Sequence, residues 1–111
     1  MKFTVTRDQL FHTLQNVISV VPAKTTMPIL QNVKIYTEDG LLKMMATDIE
    51  MMLVGWTAAE IVEEGATTIP ARTLFDIIRE LPQTELKFEI DEFDRTKIKT
   101  KFGEYKLSGQ D

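Results

Sequence analysis

Two stretches of this chain carry the same pattern of apolar positions. Leu10, Phe11, Leu14, Val17, Ile18 and Val21 recur at helical spacing, which predicts one apolar stripe on a helix from about Arg7 to Val20. Pro22 and the TTMP segment end it. A second stripe, Leu74, Phe75, Ile77, Ile78 and Leu81, is opened by Pro70 and stopped by Pro82. The motif Leu10-Phe11-x-x-Leu14-x-x-Val17 superposes on Leu74-Phe75-x-x-Ile78-x-x-Leu81 with a shift of 64 residues. The residues just before match too, Val5 with Ile69 and Thr6 with Pro70.

Between and after these helices the period changes to two. KFTV at 2–5 reads as an opening strand, and Asn32–Tyr36 alternates polar and apolar residues. Glu38-Asp39-Gly40 is a hairpin turn. Leu41–Ala46 and Ile49–Thr57 read as further strands, and Thr67-Ile69 as the strand before the second helix. Leu86, Phe88 and Ile90 alternate with Glu85, Lys87, Glu89 and Asp91; residues 91–94 turn; Arg95–Phe102 and Glu104–Ser108 complete the set. The order of strand, helix and about three strands occurs twice. Two βαβββ halves predict an α+β domain with pseudo-twofold symmetry, its two helices side by side on one face of antiparallel sheet. The strand-to-helix junctions are too short to hold a phosphate-binding loop.

Composition narrows the class. At 111 residues, 43% hydrophobic and 27% charged, the chain fits one globular domain. It has no cysteine, which excludes disulfides and thiolate metal sites. The start, MKFTVTRDQL, lacks the apolar core of a secretory signal, and no apolar run approaches the roughly 20 residues that span a bilayer. The expected location is the cytoplasm, with no membrane partner.

The net charge of −4 argues against a nucleic-acid partner only if the charge is evenly spread. It is not. Residues 1–30 carry Lys2, Arg7 and Lys24 against Asp8 alone, and no acid stands between Gln9 and Thr37. The acid gathers in 31–64, where Lys34 and Lys43 face seven carboxylates. On the second helix Arg72 and Arg79 lie about 20° apart around the axis and roughly 10 Å apart along it, both directed away from the apolar stripe. The first helix offers His12, Asn16 and Ser19 on its outward face. Such a face suits the phosphates of nucleic acid, which Arg and Lys neutralise without reading sequence. On composition alone a solvated surface, on which Asp76 pairs with Arg72 and Arg79, is the more common use of such a face.

Other chemistry finds little support. His12 is the single histidine and has no cluster around it for zinc. Asp48 and Glu50 would share a strand face but lack a third oxygen-rich partner for a divalent ion. Ser19 and Ser108 have no base and orienter, and neither GxxxxGK[ST] nor GxGxxG occurs. No cofactor or metal is expected. The six methionines read as core filler, and the row Arg95, Lys97, Lys99 and Lys101 as a protected sheet edge or solvated face. Tyr105 and Leu107, preceded by Phe102, either close the domain's own sheet or pair with another subunit.

The segments MKFTVTRDQL, TTMPIL with QN, the DG turn at 39–40, ATDIEM at 46–51 and GATTIPAR…FDIIRELP together resemble the first domain of the bacterial sliding clamps, the beta subunits of DNA polymerase III. The resemblance runs the whole chain. It implies the DNA-clamp fold and a non-catalytic processivity factor in DNA replication: a ring of two chains, joined head to tail, each with three similar domains. Helices line a hole threaded by duplex DNA, sheets form the outer wall, and the clamp loader and replicative polymerase attach by short peptides. Carried over to this sequence, Lys24, Arg72 and Arg79 are DNA-facing, with Arg7 and His12 on the same helical surface. Phe102, Tyr105 and Leu107 belong to the edge that meets the partner chain. Residues 1–111 then form a single clamp domain, with the second and third domains and their peptide pocket absent. The alternative is a module that assembles through its sheet edges and never touches DNA.

Overall fold

A computed structural model describes residues 1–21 and 31–108. Among these, the elements in chain order are β1 (Lys2–Thr6), α1 (Arg7–Val17), β2 (Asn32–Glu38), β3 (Leu41–Thr47), β4 (Met52–Ala58), β5 (Glu60–Glu63), β6 (Ala66–Pro70), α2 (Ala71–Glu80), β7 (Glu85–Ile90), β8 (Arg95–Thr100) and β9 (Gly103–Ser108). β1 and β6 start 64 residues apart, and so do α1 and α2, so the sequence repeat is a structural one.

The α+β class and both helices stand as the sequence implies, and the strands divide between two antiparallel sheets. Their orders are β5-β1-β7-β8-β9 and β4-β3-β2-β6. The halves exchange opening strands: β1 pairs with β7, with Val5 opposite Leu86, and β6 pairs with β2, with Ile69 opposite Val33. Neither half completes its sheet alone. A single buried cluster results, with Phe3, Leu86, Phe88 and Ile98 from one sheet, Val33, Ile35, Leu42 and Met44 from the other, and Leu10, Leu14, Leu74 and Ile78 from the helices. Phe3 and Phe88, directly opposite in register, stack with ring centroids 4.7 Å apart. Each of these large side chains contributes about 1.5–3 kcal/mol by leaving water.

Local chemistry sets the boundaries. α1 starts at a capping box: Thr6 Oγ1 accepts from the Gln9 N–H at 3.2 Å, and the Thr6 N–H donates to Gln9 Oε1 at 3.1 Å. The α-helix ends at Val17 and tightens into a 3-10 turn over Ile18–Val20. Pro70 closes β6 and caps α2 without a side-chain bond, so that helix begins at Ala71. Asp39 and Gly40 both take positive φ, 56° and 76°, as a two-residue primed hairpin turn requires.

Three expectations change. β4 starts at Met52, not Ile49, because Asp48 Oδ1 accepts from the N–H groups of Glu50 and Met51 at 2.8 and 2.6 Å and turns the chain there. Asp48 and Glu50 therefore do not share a strand face. Arg95, Lys97 and Lys99 lie on an interior strand, since β8 is covered by β9, and each has an acidic partner: Asp91, Glu104 and Glu89. The solvated-face reading fits them and the sheet-edge reading does not. Met51 and Met52 are 55% and 62% exposed and fill no core.

α1 packs against β4 and β3, and α2 against β2 and β6. The approach of α1 to β4 is close because Gly55 faces it. A Cβ placed there would stand 3.0 Å from Thr13 Cγ2 and 3.1 Å from Val17 Cγ1.

Candidate nucleic-acid interface

The two helices pack against each other and run antiparallel, since the first residue of α1 reaches the last turn of α2. Arg7 donates from Nε to the Ile78 carbonyl at 3.0 Å and from Nη2 to the Arg79 carbonyl at 2.9 Å. Midway, Phe11 and Phe75 stack with centroids 5.5 Å apart and an interplanar angle of 23°. These two residues are repeat equivalents, so the pseudo-twofold axis passes between their rings. The Arg7 guanidinium lies 4.4 Å from the centre of the Phe11 ring, and that of Arg79 5.7 Å from Phe75.

Outward from this seam α1 exposes His12, Gln15 and Asn16, with Ser19 exposed in the 3-10 turn that follows, and α2 exposes Arg72, Thr73, Asp76, Arg79 and Glu80. Arg72 makes no ion pair among the described residues. Asp76 pairs with Arg79 alone, at 3.4 Å, and Glu80 meets Arg79 at the same distance. The expected double pairing of Asp76 is thus half realised. Both Arg79 pairs are solvent-exposed, a class worth about 0–1 kcal/mol, so they hold the Arg79 side chain only loosely. Arg79 also stands in the last turn of α2, where a cation is favoured by the helix dipole. His12 lies edge-on to Phe11, 6.2 Å between centroids. Lys24 lies outside the described residues.

Arg72, Arg79 and His12 therefore share one face, while Arg7 sits apart in its engagement. Its side chain is only 18% exposed, and a third N–H group meets Asp8 at 3.0 Å. Counted over both helices, Arg7, Arg72 and Arg79 balance Asp8, Asp76 and Glu80, so the described part of this face is neutral within an acidic chain. The apolar stripes alone do not mark the Phe11–Phe75 stack as a feature of this face. Its signal was present in the repeat, because equivalent apolar residues at a twofold seam must meet.

Tyr105 and Leu107 are half-buried on β9, at the free edge of the five-stranded sheet, and pack against the core. Phe102 is 56% exposed in the turn before β9. At the edge of the other sheet, β4 exposes Met52 and Trp56. Among the described residues no three His, Cys, Asp or Glu side chains converge as metal ligands, and no helix is long and apolar enough to cross a membrane.

A family profile described as DNA polymerase III beta subunit, N-terminal domain, matches residues 1–111. The beta sliding clamp of Salmonella typhimurium is 40% identical over 110 residues, covering 97% of this chain and 30% of that protein. A beta sliding clamp sequence from Vibrio harveyi is 36% identical over 109 residues, covering 97% of this chain and 75% of that sequence. Among solved structures, the DNA polymerase sliding clamp of Caulobacter crescentus superposes with a TM-score of 0.93 at 33% identity, covering 99% of this chain and 30% of that one. The chain thus spans about a third or less of the Salmonella and Caulobacter proteins.

Proposed function

The chain belongs to the DNA polymerase III beta subunit family as its N-terminal domain, and from that premise we propose that it supplies one domain of a ring-shaped sliding clamp around duplex DNA. Residues 1–111 are one clamp domain, and further domains of the complete gene product complete the ring as a head-to-tail homodimer. The role is non-catalytic. The ring tethers the replicative polymerase, and the loader and polymerase engage peptide pockets on those further domains. Such a protein works in the cytoplasm.

The observation that carries this reading is the shared outward face of α1 and α2. Arg72 is exposed and without an ion pair among the described residues, and Arg79 holds only exposed partners. His12 extends the face, and Lys24 joins the same contacts. Their contacts are electrostatic and blind to sequence, as sliding requires, because base readout would stall the ring. The acidic strands elsewhere leave this face as the favoured approach for DNA. The outer wall continues through the free sheet edges, with Tyr105 and Leu107 on β9 and Phe102 in the turn before it meeting the partner chain.

Replacing Arg72 and Arg79 together by alanine in the complete gene product tests the reading. Equilibrium binding to a short duplex should weaken, and the slope of log K against log salt should become shallower by about 1.8, two phosphate contacts at about 0.9 each. Unchanged affinity and slope would remove the DNA-facing role and leave assembly through the sheet edges as the better account.

A further inference from the structure

The two ends where α1 and α2 meet satisfy each other. A helix leaves donors orphaned at its start and acceptors orphaned at its end. At the start of α1, the Arg7 N–H donates to the Thr84 carbonyl at 2.8 Å and the Asp8 N–H to Gln83 Oε1 at 2.9 Å, both acceptors standing just beyond α2. At the end of α2, which lacks a glycine cap, the Ile78 carbonyl accepts the Leu81 N–H at 3.2 Å and takes a second bond from Arg7 Nε–H, and the Arg79 carbonyl is filled by Arg7 Nη2–H. The repeat equivalent of Arg7 is Ala71, which has no group to offer the end of α1. The fastening therefore exists once, on one side of the pseudo-twofold axis, and it holds the turn that bears Arg79.

We propose that Arg7 is a positioning residue. It does not contact DNA; it locks the last turn of α2 against α1 and so fixes the direction in which Arg79 points. The inference builds on the DNA-facing reading above and alters it at one position, since Arg7 would otherwise be one more phosphate contact. The geometry separates the two roles. All three kinds of guanidinium N–H, on Nε, Nη1 and Nη2, already have protein acceptors, and the cation is held over Phe11. A planar fork is required to reach two successive carbonyls, which a lysine ammonium cannot reproduce.

The test uses Arg7→Lys, which keeps the charge and loses the fork, in the complete gene product. Binding of a short duplex is followed by fluorescence anisotropy across a salt series. The Lys variant should bind about fivefold to tenfold more weakly. Its salt slope should fall by about 0.9, the loss expected of Arg79→Gln, although no charge has been removed. The double variant R7K/R79Q should bind no more weakly than R79Q alone. A wild-type slope in R7K, or effects of the two substitutions that multiply, would overturn the positioning role.

Amide hydrogen exchange in the DNA-free protein keeps this separate from the broader reading. R7K should accelerate exchange at Arg79, Glu80 and Leu81 by about tenfold with little change at Leu10 or Leu14. Unchanged exchange there overturns the fastening, whereas Arg72→Ala without effect on duplex binding overturns the DNA-facing reading alone. If the Lys variant does not fold, the wild-type protein still decides: the Arg7 Nε–H should exchange slowly with solvent, and rapid exchange refutes the proposal.

Discussion

Gly55→Ala is the most direct test of how α1 is seated. The added methyl would stand 3.0 Å from Thr13 Cγ2 and 3.1 Å from Val17 Cγ1, with the Thr13 carbonyl at 3.7 Å. Comfortable carbon contacts are about 3.5–4.0 Å, so α1 must move off β4 by several tenths of an ångström or two side chains must leave their rotamers. Overpacking of this kind costs about 1–3 kcal/mol. The alanine returns about 0.5–1 kcal/mol by restricting the unfolded chain. The net loss centres on about 1 kcal/mol, within a range of about 0–2.5, and lowers Tm by roughly 4–8 °C at that centre for a domain of this size. Thermal unfolding followed by circular dichroism measures it, with urea unfolding to check that the slope is unchanged. Thr13→Ser removes Cγ2 but keeps the hydroxyl that donates to the Gln9 carbonyl at 3.0 Å. In that background Gly55→Ala should cost visibly less. The reasoning fails if the single variant melts at or above the parent, or if the two substitutions simply add.

Two further outcomes follow from local contacts. Thr6→Ala should lower stability by about 1 kcal/mol by removing the N-cap of α1, and Thr6→Ser should recover most of it; an alanine variant as stable as the parent would refute the capping box as a stabilising element. Acid should destabilise the fold through Asp91 and Glu38, whose pKa values are both held below the ordinary carboxylate range. The Arg95 N–H does this most for Asp91, and the Lys43 ammonium, 2.6 Å away, for Glu38. A depressed folded-state pKa stabilises above the unfolded-state value and is lost as pH falls through the folded one. The urea midpoint should therefore hold from pH 7 to about 5 and fall below about 4.5, and the pair Asp91→Asn with Glu38→Gln should flatten that fall. An equally steep acid fall in the double variant would exclude these two carboxylates as its source.

Much of the fold was legible because both helices carry stripes that only an amphipathic helix satisfies, and because the stripes repeat at a fixed shift. The capping box at Thr6 and Gln9 was equally open to reading, since T-x-x-Q before an apolar run marks a helix start. The exchange of β1 and β6 between halves was not legible. Strand partners are chosen by long-range packing, and Val5 would alternate in the same way against either sheet. β5 leaves little signal in the sequence because Glu60–Glu63 is short, acidic and at an edge, where polar residues are tolerated on both faces. Ile49 read as strand by composition, yet one Asp48 carboxylate bonded to two backbone N–H groups overrides that preference. For the candidate site, the wheel positions of Arg72 and Arg79 were given by period alone. The engagement of Arg7 was not, because its two carbonyl acceptors lie more than 70 residues away.

The pseudo-symmetry and its breaks then have different work to do. Symmetry places two helices antiparallel over one core, and Phe11 and Phe75 meet on the axis because repeat equivalents must. A symmetric face would carry the same cations on both helices. Here the repeat equivalents of Arg72 and Arg79 are Asp8 and Gln15, so the described cations gather toward α2 while α1 presents His12, Gln15 and Asn16. On the DNA-facing reading this asymmetry is useful. A face of balanced charge does not trap a polyanion, yet Arg72 can turn to passing phosphates, and Arg79 can exchange its exposed partners for them at little electrostatic cost. On the same reading Arg7 keeps the turn that bears Arg79 in place. Its charge goes to the end of a helix instead of to a ligand, and on the DNA-facing reading the side chain that meets the phosphates is anchored by one that does not.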